Sequence, residues 1–287
     1  MGAGPGTGKT KALVSRIAYL IGEAGVSPSE ITAVTFTNKA AAEMRQRLIR
    51  ELSGKKAVRG MVIGTFHAIC LRLLAEAGET FTLIGEEQAR EVAEEVLRDA
   101  GEKLSVKNFL QQVSRIKNAA PDEAGTVSLP EGLFERYNDR LREYGACDFD
   151  DVLLRALALA ESSGEEVPRF PRLLVDEFQD INEVQYRLVR AWSRHDGSWF
   201  VIGDPDQSIY GFRGSDSRCF DRLREDCPDR RLIRLTKNYR STPQILDCAL
   251  PVIGRNPSTE GERVLEAQKD SGERVRLLSA ADDFAGA

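Results

Sequence analysis

The chain has 287 residues, with 40 Lys and Arg against 45 Asp and Glu, a formal charge of −5; 41% of its residues are hydrophobic and 30% charged. These proportions exclude a disordered tail, a collagen-like chain and a coiled coil, and fit one large or two ordinary globular domains. No run approaches ~18 uninterrupted apolar residues, so no membrane span is expected. The amino end opens into glycines and has no basic-then-apolar signal pattern. Net acidity argues against a uniformly basic nucleic-acid coat, but a local basic groove is compatible with it, because steering depends on where charge sits.

In chain order, Leu13, Val14, Ile17, Leu20 and Ile21 have helical spacing over residues 11–22, ended by Gly22. Residues 31–36 read as a short buried strand and 38–52 as a helix capped by Asn38. A second strand is expected at 61–65 and a helix at 66–77. From about 84 to 144 the strand signals stop. Helical stretches near 85–100, 106–118 and 131–144 predict an all-helical insertion. Strand signals return at 172–176, 199–203 and 231–235, each beside a helical stretch. A helix opened by Ser241, Thr242 and Pro243 follows, then a polar stretch from about 255 and one more expected strand at 273–279. Strands alternating with helices predict an α/β layer fold with a mostly parallel sheet.

Cys70, Cys147, Cys219, Cys227 and Cys248 are odd in number, widely spaced and free of any CxxC, which argues against a disulfide framework or a zinc site. Reduced, buried thiols in a cytosolic protein are the plain expectation. The only histidines, His67 and His195, leave no histidine-rich metal site.

The sharpest motif is Ala3-Gly4-Pro5-Gly6-Thr7-Gly8-Lys9-Thr10. It fits G-x-x-x-x-G-K-[ST] with Ala in the first position. Small residues let successive backbone N–H groups converge on phosphate oxygens, and the helix start behind them favours an anion. Lys9 would neutralise the β- and γ-phosphates of ATP, and Thr10 would offer its hydroxyl to Mg2+. A second anchor for the metal is expected where an apolar run, Leu173-Leu174-Val175, ends in two acids. Asp176 would hold Mg2+, directly or through water, and Glu177 would orient and deprotonate the attacking water.

The wider string Asp176-Glu177-Phe178-Gln179-Asp180 resembles the DExQD box of UvrD/Rep/PcrA-type superfamily 1 DNA helicases. Four further segments resemble that family's boxes in order. They are 35–44 (TFTNKAAAEM) for motif Ia, 64–68 (GTFHA) for Ib, 203–214 (GDPDQSIYGFRG) for III and 235–241 (LTKNYRS) for IV. With the phosphate loop they cover residues 3–241. The resemblance implies a RecA-like P-loop NTPase sheet flanked by helices. It assigns 1–83 and 146–235 to a motor domain, 84–145 to the helical insertion, and 236–287 to the opening of a second motor domain.

The resemblance also assigns roles. Gln207 would sense the γ-phosphate, Tyr239 would stack on adenine, and Arg240 would contact the γ-phosphate. Phe36, Tyr210 and Phe212 would be platforms for single-strand bases, each stack worth about 1–3 kcal/mol whatever the base. Asn38, Thr65, His67 and Arg213 would hold the phosphodiester backbone. Read from the residues alone, Phe36 fits core as well as platform, and His67 fits a helix start as well as a DNA contact. Family members of full length translocate 3′ to 5′ on single-stranded DNA, with DNA-repair or replication proteins as possible partners.

Two departures from the family pattern shape the expectation for this chain. Only Met1 and Gly2 precede Ala3, where the family has a buried strand and a glutamine motif upstream; motifs V and VI are also not found. An incomplete motor is expected, one that binds nucleotide and single strand weakly, hydrolyses ATP slowly at best and does not unwind duplex alone. The alternatives are a non-hydrolysing binding module for single strand or a protein partner, and the helicase part of a RecB- or AddA-like helicase–nuclease. A plain P-loop kinase explains none of the DNA-side boxes.

Overall fold

The computed structural model describes residues 2–119, 129–162, 170–193, 198–208, 218–256 and 264–277. Its centre is a parallel sheet of β2 (Ile31–Val34), β3 (Val62–Gly64), β6 (Arg172–Val175) and β7 (Ser198–Val201), in the order β3-β2-β6-β7. Val34 lies opposite both Gly64 and Val175, and Val175 opposite Val201, so the strands end level with one another. Successive side chains of a strand point to opposite faces. Val34, Leu173, Val175 and Val201 accordingly join one core, while Ala33, Leu174 and Ile202 join the other.

Helices cover both faces, as a parallel sheet requires. The first core takes side chains from α3 (Phe66–Glu76), α7 (Phe149–Glu161), α8 (Glu183–Trp192) and α9 (Cys219–Asp226). Trp192 is fully buried there, stacked on Phe66 at 6.0 Å and edge-on to Phe170 at 5.2 Å. The second core takes Leu13, Val14, Ile17 and Leu20 of α1 (Lys9–Gly22) and Met44 and Leu48 of α2 (Asn38–Glu51). Burying each such side chain stabilises the fold by about 1.5–3 kcal/mol.

No strand is expected ahead of the phosphate loop, yet Gly2–Ala3 form one, β1. It pairs in parallel with β8 (Arg234–Leu235) and bridges Gly203 at the end of β7. Ala3 N–H donates to Gly203 O and Gly2 N–H to Ile233 O, each at 3.0 Å. The loop thus starts from a backbone anchored on both sides. Three other expectations need correction. The strand expected at 231–235 shortens to Arg234–Leu235, the two residues that stand opposite Gly2 and Ala3. The cap of α2 is Thr37, whose hydroxyl accepts the Ala40 N–H at 3.1 Å; Asn38 is the first helical residue. Residues 273–277 are exposed and form no strand. The ladder of β9 (Lys237–Asn238) is taken instead by β10 (Glu266–Ala267), and 278–279 lie outside the described residues.

Between β4 (Thr82–Leu83) and β5 (Ala146–Cys147), which pair side by side, stand α4 (Glu86–Ala100), α5 (Val106–Asn118) and α6 (Leu133–Glu143). They have a core of their own that includes Val92, Val96, Phe109, Val113, Tyr137 and Leu141. It joins the rest through buried polar groups. The Lys117 ammonium, at the end of α5, lies 2.7 Å from both Asp148 and Asp151 at the start of α7. Asn118 Nδ2 donates to Asp150, and Asn182, the cap of α8, donates to Asn118 Oδ1 at 2.7 Å. The last described helix, α10 (Pro243–Ile253), buries only Leu246.

Candidate nucleotide and nucleic-acid site

Several of the described candidate residues lie along one edge of the sheet, because parallel strands that end level present their following loops there. The phosphate loop follows β1, Phe36 follows β2, Thr65 follows β3, Asp176 and Glu177 follow β6, and Asp204 follows β7.

In the loop, Gly6 and Gly8 have φ of +72° and +84°, values glycine adopts without strain. Thr7 is buried and donates its hydroxyl to Gly4 O at 2.7 Å, which tightens the turn. Gly8 is the N-cap of α1, so Lys9 and Thr10 lie in the first helical turn, where backbone N–H groups lack intrahelical acceptors. Ala3 and Gly4 lead in from β1; a Cβ on Gly4 would meet Leu265 at 2.9 Å.

Lys9 and the acid pair, far apart in sequence, meet directly: Lys9 Nζ is 3.2 Å from Glu177 Oε2. Glu177 holds φ at +48°, a left-handed conformation that costs a non-glycine residue energy and recurs at functional positions. Its N–H donates to Asp176 Oδ1 at 3.0 Å. Burial, with the neighbouring Glu177 charge behind it, pushes the Asp176 carboxyl up to about 6, against the opposing pull of the Glu177 N–H and Lys9. Burial and Glu177 likewise push Asp180 up to about 6.

Gln179 and Asp204 link these acids to Gln207. Gln179 Nε2 donates to Glu177 Oε2 at 2.9 Å and to Asp180 Oδ2 at 3.0 Å, and Gln179 Oε1 accepts the Asp204 N–H at 2.9 Å. Gln207 Nε2 donates to Asp204 Oδ2. Gly203 leaves the room this needs: a Cβ there would lie 2.6 Å from Gln179 Oε1. Both residues stand inside recognised boxes, but spacing alone does not single out their side chains.

The 238–240 segment packs on the loop. Tyr239 N–H donates to Gly6 O at 2.9 Å, and Asn238 Nδ2 to Pro5 O at 2.6 Å. Arg240 follows with its Cβ against Gly6, and the Tyr239 side chain is exposed. Asn238 is a residue that sequence reasoning passed over, although it stands inside the motif IV string.

Of the residues expected to meet nucleic acid, Phe36 is 39% exposed, so the core reading of that ring fails. Asn38 is exposed beside it. Thr65 caps α3, its hydroxyl accepting the Ala68 N–H at 3.3 Å. The His67 ring lies edge-on to Phe149 at 5.6 Å, and burial lowers its pKa while Asp150 and a backbone hydrogen bond with Phe149 oppose the shift. Phe149 is itself 47% exposed, an aromatic that the sequence reading did not weigh. Tyr210, Phe212 and Arg213 lie outside the described residues.

The donor chemistry fits Mg2+. Asp176 and Thr10 offer hard oxygen ligands, and a buried carboxyl whose pKa is raised is one that a cation would stabilise in its charged form. Among the described residues no group of three or more His, Cys, Asp or Glu could cage a metal.

Residues 1–228 match the family model of the UvrD/REP helicase N-terminal domain. The chain is 38% identical over 294 residues to the ATP-dependent DNA helicase UvrD1 of Mycobacterium tuberculosis (strain CDC 1551 / Oshkosh), covering 91% of this chain and 38% of the relative. It is 34% identical over 299 residues to the ATP-dependent DNA helicase PcrA of Staphylococcus epidermidis (strain ATCC 12228 / FDA PCI 1200), covering 97% and 41%. With PcrA of Leuconostoc citreum the identity is 35% over 303 residues, covering 97% and 40%. The chain spans about two fifths of the length of these curated relatives.

Proposed function

Because the chain belongs to the UvrD/REP helicase family, we propose that it is the ATPase core of a DNA helicase, coupling ATP hydrolysis to 3′-to-5′ movement on single-stranded DNA. The observation that carries this reading is the 3.2 Å contact of Lys9 with Glu177, which brings the glycine loop and the acid pair into one site. In this reading β1–β4 and β5–β8 form a RecA-like motor domain, α4–α6 an inserted domain, and the segment from 236 the opening of a second motor domain.

The loop N–H groups and Lys9 receive the triphosphate. Thr10 and Asp176 would hold Mg2+, which supplies charge neutralisation on the phosphates when bound. Binding of the γ-phosphate gives Lys9 a second anionic partner and releases Glu177 to act as base. Water then attacks the γ-phosphorus: its oxygen forms the new P–O bond, its proton passes to Glu177, and the bond to the β-phosphate breaks to leave ADP. Gln207 reports the γ-phosphate through Asp204 and Gln179 to Glu177. Tyr239 stacks on adenine and Arg240 reaches the γ-phosphate. Phe36 and Phe149 offer rings to unstacked bases, with Tyr210 and Phe212, while Asn38, Thr65, His67 and Arg213 hold the backbone.

Titration with ATP and Mg2+ tests the reading. Lys9→Ala is expected to abolish binding with the fold intact. Glu177→Gln is expected to keep binding and lose any turnover that single-stranded DNA stimulates. Unchanged binding in a folded Lys9→Ala protein would refute the site.

A further inference from the structure

Asn238 is 1% exposed and uses both ends of its side-chain amide. Its Oδ1 accepts the N–H groups of Arg240 at 2.9 Å and Ser241 at 2.7 Å, a local turn of the kind asparagine commonly makes. Its Nδ2 does something a local turn does not need: it reaches 233 positions back to the Pro5 carbonyl at 2.6 Å. The neighbouring Tyr239 N–H takes the Gly6 carbonyl at 2.9 Å.

A trans peptide unit is planar, with its C=O and N–H pointing in opposite directions. Holding the Pro5 carbonyl toward Asn238 therefore turns the Gly6 N–H away from it. Holding the Gly6 carbonyl toward Tyr239 fixes the next peptide plane as well, whose Thr7 N–H turns back to the Gly4 carbonyl at 3.4 Å. Backbone N–H groups turned away from carbonyl partners are what an anion nest is built from, and the Asn238 contact turns the Gly6 N–H in that way. Only glycine allows this approach at position 6, since a Cβ there would lie 2.5 Å from Arg240 Cβ and 3.0 Å from Asn238 Nδ2.

We propose that Asn238 is a positioning residue of the nucleotide site, presetting the peptide planes of the phosphate loop and tying them to the segment that carries Tyr239 and Arg240. The proposal rests on reading the loop as a triphosphate site. Asn238→Asp separates the two ends of the amide. The carboxylate still accepts from Arg240 and Ser241 but sets oxygen against oxygen at Pro5.

The test is equilibrium binding of a fluorescent ATP analogue with Mg2+ to the 287-residue chain, with competition by ATP and by inorganic tripolyphosphate. Asn238→Asp is expected to weaken both competitors by a similar factor of about tenfold or more, at unchanged circular dichroism. Wild-type affinity for both in the folded variant overturns the proposal. So does loss of ATP binding with tripolyphosphate unaffected, which would place the effect on the base. Should Asn238→Asp not fold, Asn238→Ser carries the same comparison. Tight binding by wild type and none by Lys9→Ala keeps the nucleotide reading whatever Asn238 does, whereas no binding by wild type overturns both.

Discussion

Asp176 pays for its place: a carboxyl sealed from water beside Glu177 is held near a pKa of about 6, against an ordinary value of 3.8. A folded-state value above the unfolded one means that the folded protein binds the proton more tightly. The ionised form thus costs stability. That cost is absent below about pH 4, grows as pH rises through about 6, and is constant above. Asp176→Asn is therefore expected to stabilise the ligand-free protein by about 1–3 kcal/mol at pH 7 and to leave stability at pH 4 nearly unchanged. Thermal denaturation across that range checks it; a variant less stable than wild type at pH 7 would contradict it. Some pH dependence is expected to persist through Asp180, which is raised for similar reasons. Glu177 shows the same pattern in its backbone, a strained φ held in place by Asp176 and Lys9.

Among the elements, α5 and α7 meet through charge. The Lys117 side chain is 1% exposed and answers two carboxylates, with the Tyr137 ring 5.4 Å away. Removing one partner of a buried ion pair costs far more than the pair contributes net. Lys117→Met is expected to destabilise the protein by about 2–4 kcal/mol in urea denaturation, because Asp148 and Asp151 then face each other without a cation. A change below about 0.5 kcal/mol, the size of an ordinary surface substitution, would show that water already screens the cluster. This contact also marks what sequence reading reaches. The helices α4, α5 and α6 stand within a few residues of their periodicity, because an amphipathic stripe is a local signal. The pairing of Lys117 with Asp148 spans 31 positions and leaves no periodic trace. Thr37 rather than Asn38 caps α2 for a related reason: two good cap residues stand side by side, and only the folded backbone, extended at Thr37, decides between them.

For the molecule as a whole, the carboxyl edge of the sheet was readable because glycine loops and strand-ending acids are written in consecutive residues. The links across that edge were not. Gln179 to Asp204 and Asn238 to Pro5 join side chains to backbone groups 25 and 233 positions away. Nor could hydropathy reveal that two residues suffice for β1, since the pairing comes from Gly203 and β8. Packing differs sharply across the fold. α8 buries seven residues, whereas α10 buries only Leu246 and exposes Ile245 and Val252. Segments with few buried apolar contacts open at lower free energy. Amide hydrogen exchange is expected to be faster in α10 than in α8 by a factor of about 100 or more. Equal protection would mean that α10 is held by contacts the buried residues do not reveal.

The central claim is that the amino-terminal loop and the acids after β6 share one magnesium–triphosphate. The most direct measurement is ATP affinity with and without Mg2+ in wild type and Asp176→Asn. Mg2+ is expected to tighten ATP binding to wild type and to give little or no gain in the variant. A full magnesium gain in Asp176→Asn would contradict the account.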